Sequence, residues 1–292
     1  MKRQLPVETL APAVFVMLWS TGFLGAKFGL PYAEPATFLS VRFFIVVAIL
    51  AVMVMMLRLP LPTGRQWWHL SVSGCLVHGF YLGGVFSAIH LGVNAGVSAM
   101  IVGIQPLFTA VLVGPWLGER VTPRQWLGFI LGLLGVFLVI LENFSLAQQD
   151  MLALALCFIG LVGISVGTVY QKRYCENMDL ISGSMVQFLA AGTLLGIFAF
   201  GLETREIHWT AEFIFAMGWL VLVLSIGAIS LLMWLIQQGA ASRVASLFYL
   251  VPPLVALESW WLFGETLHHL AVIGMICCAV GVWLVLQAPK KS

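Results

Sequence analysis

Apolar segments separated by short polar breaks make up almost the whole chain. Ten of them stand out, at 10–30, 36–57, 67–89, 94–117, 124–141, 151–172, 180–201, 214–237, 243–263 and 268–287. Each is close to the roughly 20 residues that a helix needs to cross about 30 Å of hydrocarbon. The apolar runs are continuous rather than alternating, so the pattern predicts helices and not barrel strands. The breaks carry turn chemistry: Pro31 and Pro35, Pro60 and Pro62, Pro123, Asn177 to Asp179, Glu203 to Glu206. The expected fold class is therefore an all-α integral membrane protein with ten transmembrane helices, leaving no room for a soluble domain. The first run follows Lys2 and Arg3, holds Trp19, Ser20, Thr21 and Lys27, and is closed by no small-x-small site. It reads as a first span, not a cleaved signal.

Composition agrees and narrows the function classes. Of 292 residues 61% are apolar and 9% charged, against about 25% charged in a soluble globular chain. The mean hydropathy is +1.03. A net charge of +2 offers no basic surface for nucleic acid. The five cysteines form no C-x-x-C pair and the six histidines no His-Glu-x-x-His, so neither a metal nor any other cofactor is expected.

Charge sets the orientation. With odd-numbered helices running outward, one side holds Lys2, Arg3, Arg58, Arg65, Arg120, Arg124, Lys172, Arg173, Arg243, Lys290 and Lys291, which is 11 of the 14 basic residues. The opposite loops hold only Arg205, and Lys27 and Arg42 lie inside spans. The positive-inside rule then places both termini in the cytoplasm.

The chain also repeats itself. Leu117–Val139 aligned with Phe263–Val285 gives eight identities in 23 positions, including Gly118-Glu119 with Gly264-Glu265, Gly128 with Gly274 and Gly135 with Gly281. Upstream, Gly92, Val97 and Pro106 match Gly239, Val244 and Pro253; further up, Lys27 falls on Lys172 and Arg42 on Gln187. Two repeats are expected, 1–146 and 147–292. Five spans each, an odd number, would put the second upside down relative to the first, an architecture of secondary transporters whose substrate site lies near mid-membrane.

Ten spans in two five-helix repeats, Trp19-Ser20-Thr21-Gly22-Phe23 in the first helix and Leu-Gly-Glu-Arg-Val at 117–121 resemble the EamA-type transporters of the drug/metabolite transporter superfamily. The resemblance implies a bacterial inner-membrane exporter or uptake carrier of small metabolites, including amino acids. No ATP is implied, and the chain has no Gly-x-x-x-x-Gly-Lys-Ser/Thr loop.

Ionisable groups inside spans are costly and therefore functional candidates. Lys27, Arg42 and Glu258 fall at one depth, in the outer third; they read either as a charged vestibule for a carboxylate or zwitterion, or as an ion pair with Lys27 reaching toward the interface. On the vestibule reading Glu258 steadies Arg42 between cycles. Near the bilayer centre lie Trp19, His78 and Gln105, with Pro106 and Pro252-Pro253 as helix breaks; they line a cavity or tie helices together. Tyr81 and Tyr249, with Tyr170, Trp234 and Trp260, are aromatic candidates for the wall, and Gln187 is an uncharged mate to Arg42. Gly128 and Gly132 allow close approach either within the chain or in a dimer, so monomer and dimer both stay open. The expected function is alternating-access transport of a small-molecule substrate, with protons as a candidate coupling ion carried by Glu258. A phosphorylated-sugar or nucleotide-sugar carrier and a passive channel are the alternatives.

Overall fold

Where the helices start and stop follows from local chemistry. The computed structural model describes residues 6–93, 98, 101–141, 151–239, 241–263 and 269–287. Helix α1 is Pro6–Gly29. Helix α2, Pro35–Leu57, opens on a proline, whose missing N–H costs nothing there, and closes on Arg58 at φ 51°. Helix α3, Gly64–His90, follows a capping box in which Gln66 accepts from the Thr63 N–H at 2.7 Å. Helix α4, Gln105–Leu117, ends on Gly118 at φ 68°. Helix α5, Pro123–Ile140, repeats the capping box with Thr122 and Gln125. Helix α6 is Met151–Tyr174. Helix α7, Leu180–Leu202, is capped by Asp179, which accepts from the Ile181 and Ser182 N–H groups. Helix α8 is Ala211–Gln238. Helix α9 is built from Ala241–Ser246, a tight turn Leu247–Leu250 and Val251–Phe263. Helix α10 is His269–Leu286.

Seven of these helices (α2, α3, α6, α7, α8, α9 and α10) are long and apolar enough to cross a membrane. Helices α4 and α5 and the apolar part of α1, Leu10–Gly22, are shorter. Among the described residues the only strand-like contact is an isolated bridge between Ala33 and Ile207. Large apolar side chains such as Met56, Phe200, Leu202 and Trp261 point outward with little cover, a surface that suits lipid rather than water. The chain is an all-helical membrane protein.

Helices pack through glycines. In α5 and α10 a Cβ on Gly128 would lie 2.6 Å from the Gly281 carbonyl oxygen, and one on Gly135 would lie 2.6 Å from that of Gly274. The two helices therefore run antiparallel with backbones touching, and the Gly128/Gly132 face is used inside the chain. Helix α2 runs antiparallel to α7, where Ser40 donates to the Gly192 carbonyl at 3.0 Å and Phe43 packs on Phe188. Helix α3 runs antiparallel to α6, with Gly84 against Leu156 and Gly163 against Leu76.

Two helices are underwound locally. Cys75–Phe80 in α3 and Leu220–Ala228 in α8 are π-helical. Such turns re-aim side chains and recur at functional sites; His78 sits in the first and Ser225 in the second.

Each end of the bundle has its own polar fastening. At one end, which we call the Glu34 end, the Glu203 carboxylate accepts from the Ala36 and Thr37 N–H groups at 2.8 and 2.6 Å and so caps α2 from another part of the chain. Glu34 in return accepts from the Thr204 N–H and hydroxyl, both at 2.6 Å. At the opposite Glu119 end, the Glu119 carboxylate caps α9 through the Ala241 N–H at 3.0 Å and the Ser242 hydroxyl at 3.1 Å. Gly264-Glu265, the matching pair in the second half, lies outside the described residues.

Glu34 makes the first fastening sensitive to acid. The Thr204 hydroxyl and N–H hold its carboxyl below the usual carboxylate range. A depressed carboxyl group stabilises the fold above its unfolded value, and that contribution disappears as pH falls through the folded value. We expect the thermal midpoint to drop between neutral pH and about pH 4, and Glu34→Gln to show a smaller drop. An equal drop in the variant would place the acid sensitivity elsewhere.

Candidate functional site

A cavity beside Arg42 extends from Trp19 and Tyr81 past Ala26 and Ile89. It holds about 470 Å³ of space between α1, α2, α3 and the π-turn of α8. Its walls are Gly22 and Ala26 of α1, Val85 and Phe86 of α3, and Leu220 and Leu224 of α8, with Arg42 as the one charged side chain. Helix α1 approaches the π-turn closely on this side, where a Cβ on Gly25 would lie 2.7 Å from the Leu220 side chain.

Arg42 is 2% exposed. Its Nε donates to the Ser225 hydroxyl at 3.0 Å, and its guanidinium lies 5.6 Å from the centre of its neighbour Phe43. No carboxylate among the described residues reaches it. A guanidinium carries five N–H donors, and the four on its terminal nitrogens have no partner among the described residues. They are free to take water or an anion from the cavity that Arg42 lines.

Trp19 and Tyr81 form the floor. Their rings stack at 8° with centroids 6.4 Å apart. Phe248 of α9 meets Trp19 edge-on at 5.3 Å, and Phe15 meets Phe248 at 5.5 Å. Beneath the floor lies a second space of about 260 Å³, bounded by the same Trp19 and Tyr81 together with Gly103, Phe248 and Pro252. The aromatic pair thus lies between the two spaces.

The remaining sequence candidates scatter around this centre. Glu258 does not pair with Arg42 as expected: its Oε1 accepts from the Ser20 hydroxyl at 2.6 Å, and its Oε2 is buried with no partner among the described residues. The reason is azimuth. Helix α9 packs on α1, α5 and α10, whereas α2 packs on α7 and α8. His78 stacks on Phe188 at 4.5 Å with both ring nitrogens unpartnered. Gln105 and the Tyr249 hydroxyl are likewise buried without partners among the described residues, and the Tyr249 ring fills the space beside Gly132. Trp260 is exposed and Tyr170 pairs with His69 at the Glu119 end; neither lines the cavity. The side chain of Lys27 lies outside the described residues.

Gln187 belongs to a separate cluster nearer the Glu119 end. Its amide donates to Gln171 Oε1 at 2.6 Å, and Ser73 donates to that same oxygen at 2.5 Å. A space of about 190 Å³ adjoins it, lined by Gln171, Gln187, Met233 and Gln237. Ser225, Ser20 and Gln171 have no signal of their own in the sequence, because each is one uncharged polar residue within an apolar run. Gln171 alone had a pointer, its place beside the aligned Lys172.

Relatives now enter the account. A model of the EamA-like transporter family matches residues 9–141 and again 151–287. The uncharacterized transporter YvbV of Bacillus subtilis (strain 168) is 27% identical over 99% of this chain and 95% of its own length. The uncharacterized inner membrane transporter YedA of Escherichia coli (strain K12) is 26% identical over 96% and 90%. A protein of the same strain named "Probable amino-acid metabolite efflux pump" is 24% identical over 92% and 91%. A crystal structure of a protein 18% identical superposes with a TM-score of 0.80 over 97% of this chain and 98% of that one, which speaks for the fold. With both halves matched by the family model, the chain belongs to the EamA-like transporter family.

Proposed function

We propose that this protein is a secondary transporter, an exporter of small organic metabolites that are amino-acid-like or otherwise zwitterionic or anionic, and that it works by alternating access in a bacterial inner membrane. The observation that carries the reading is Arg42, a buried cation with no carboxylate partner among the described residues, lining a cavity in the middle of the bundle. A relative named as an amino-acid metabolite efflux pump supports export and the substrate range. Purified protein in liposomes tests it: accelerated, saturable counterflow of a labelled metabolite marks a carrier, and flux without counterflow marks a channel.

In this reading the ten helices are two inverted five-helix repeats, residues 1–146 and 147–292, with both termini in the cytoplasm and the Glu34 end outside. Several features support the inversion. The repeat mates α2 and α7, and α5 and α10, lie side by side and antiparallel. Exchanging mates turns the Gly128–Gly281 contact into Gly274–Gly135, as a two-fold axis along the seam requires. The π-turns occupy matching places in α3 and α8. The cavities beside Arg42 and beside Gln187 are built from matching helices, so rocking one half against the other would open the second as it closes the first.

Glu258 is the group for proton coupling. One oxygen has Ser20 and the other has no partner among the described residues, and an ionised carboxylate would leave that buried oxygen unsatisfied. Glu258→Gln is expected to keep substrate exchange and to lose accumulation driven by a pH gradient. Undiminished pH-driven accumulation in the variant removes Glu258 from coupling.

A further inference from the structure

The cavity beside Arg42 has a chemistry narrower than its family membership. Its charge is one-sided. Arg42 has four donors without a partner among the described residues, and the acid nearest in depth, Glu258, turns to Ser20 and does not line the space. Nor is any other carboxylate among the lining residues. A substrate carboxylate would complete the guanidinium with two parallel hydrogen bonds. An ammonium group on the same molecule would lose its water in that cavity and find no carboxylate in exchange, a loss that disfavours binding.

The rest of the wall is apolar. Opposite Arg42 the space is closed by Val85, Phe86, Leu220 and Leu224, over the stacked faces of Trp19 and Tyr81. A small, fully polar anion would leave those faces wet. A flat apolar body would cover them, and aromatic faces favour another ring in offset or edge contact. The substrate end is therefore split into one anion-binding corner and one aromatic floor.

We propose that the preferred substrate is an organic monoanion, a carboxylate with an apolar, planar body, selected over the corresponding zwitterion. This deepens the transporter reading above and rests on it. Arg42 takes the carboxylate; Trp19 and Tyr81 take the body; the missing acidic partner rejects the ammonium.

Three probes that differ by one feature each test this on the full-length protein: phenylpyruvate, an aromatic monoanion; phenylalanine, its zwitterionic counterpart; and pyruvate, the anion without the ring. Binding is read from tryptophan fluorescence and thermal shift in detergent, and transport from counterflow in liposomes. Phenylpyruvate is expected to bind at least tenfold more tightly than either other probe. Its advantage over phenylalanine is expected to vanish in Arg42→Gln and to return in part in Arg42→Lys, which keeps the charge but not the fork. Equal or tighter binding of phenylalanine overturns the charge selection, and equal binding of pyruvate overturns the aromatic floor; both leave the carrier reading intact. No binding of phenylpyruvate overturns the proposal as well. Tight phenylpyruvate binding without any counterflow points the other way: the site stands and the carrier reading fails.

Discussion

Replacing Arg42 by Gln is expected to cut exchange of an anionic metabolite by one to two orders of magnitude while the protein inserts, folds and melts at its normal temperature or above. The two halves of this expectation have separate causes. A charge-assisted hydrogen bond contributes about 1.5–3 kcal/mol, so losing the guanidinium costs about 10- to 150-fold in affinity. Stability moves the other way, because Arg42 is 2% exposed and has Ser225 as its only hydrogen-bond partner among the described residues. A neutral side chain of similar reach removes the desolvation cost of that charge and can still bond Ser225. Liposome counterflow and a melting curve on the same preparation separate the outcomes. Near-normal exchange with a large fall in the melting temperature would make Arg42 a structural residue and move the substrate site inward, toward Trp19, His78 and Gln105.

The sequence carried depth but not azimuth. Hydropathy located the helices to within a few residues: 36–57 became Pro35–Leu57 and 180–201 became Leu180–Leu202. It also singled out Arg42 for being charged inside an apolar run. Arg42 and Glu258 share a depth, and depth alone suggested a pair. Which helices touch is decided by side-chain shape around the whole bundle, and α9 finds α1, α5 and α10 instead of α2. The π-turns were invisible as well, since Leu220–Ala228 reads as ordinary apolar helix. Their effect is chemical: the underwound stretch holds the serine that meets Arg42. Gln187 is the opposite case. Aligning the halves gave it as the mate of Arg42, and it lies beside a cavity built from the corresponding helices, with a neutral amide network in place of the cation.

Gly274→Leu is expected to be among the most destabilising single changes in the bundle. A Cβ at Gly274 would stand 2.5 Å from the Gly135 carbonyl oxygen and 2.8 Å from the Val139 nitrogen. Both are backbone atoms of α5, which cannot swing aside as a flexible side chain can. The helices must separate, and in lipid little but packing holds them together. Every contact along the seam then weakens, because dispersion fades within an ångström. Overpacking costs about 1–3 kcal/mol, and a rigid backbone obstacle lies at the upper end, equivalent to about 5 °C in a chain of 292 residues. Gly128→Leu, whose Cβ would stand 2.6 Å from the Gly281 carbonyl oxygen, is expected to match it. Gly218→Ala is the control: nothing lies within 4 Å of its Cβ, so the melting temperature should hold or rise slightly. Should Gly274→Leu melt like the wild type and exchange substrate at the same rate, α5 and α10 would not be a fixed seam. The motion that exchanges the two cavities would then have to run through that pair, rather than pivot around it.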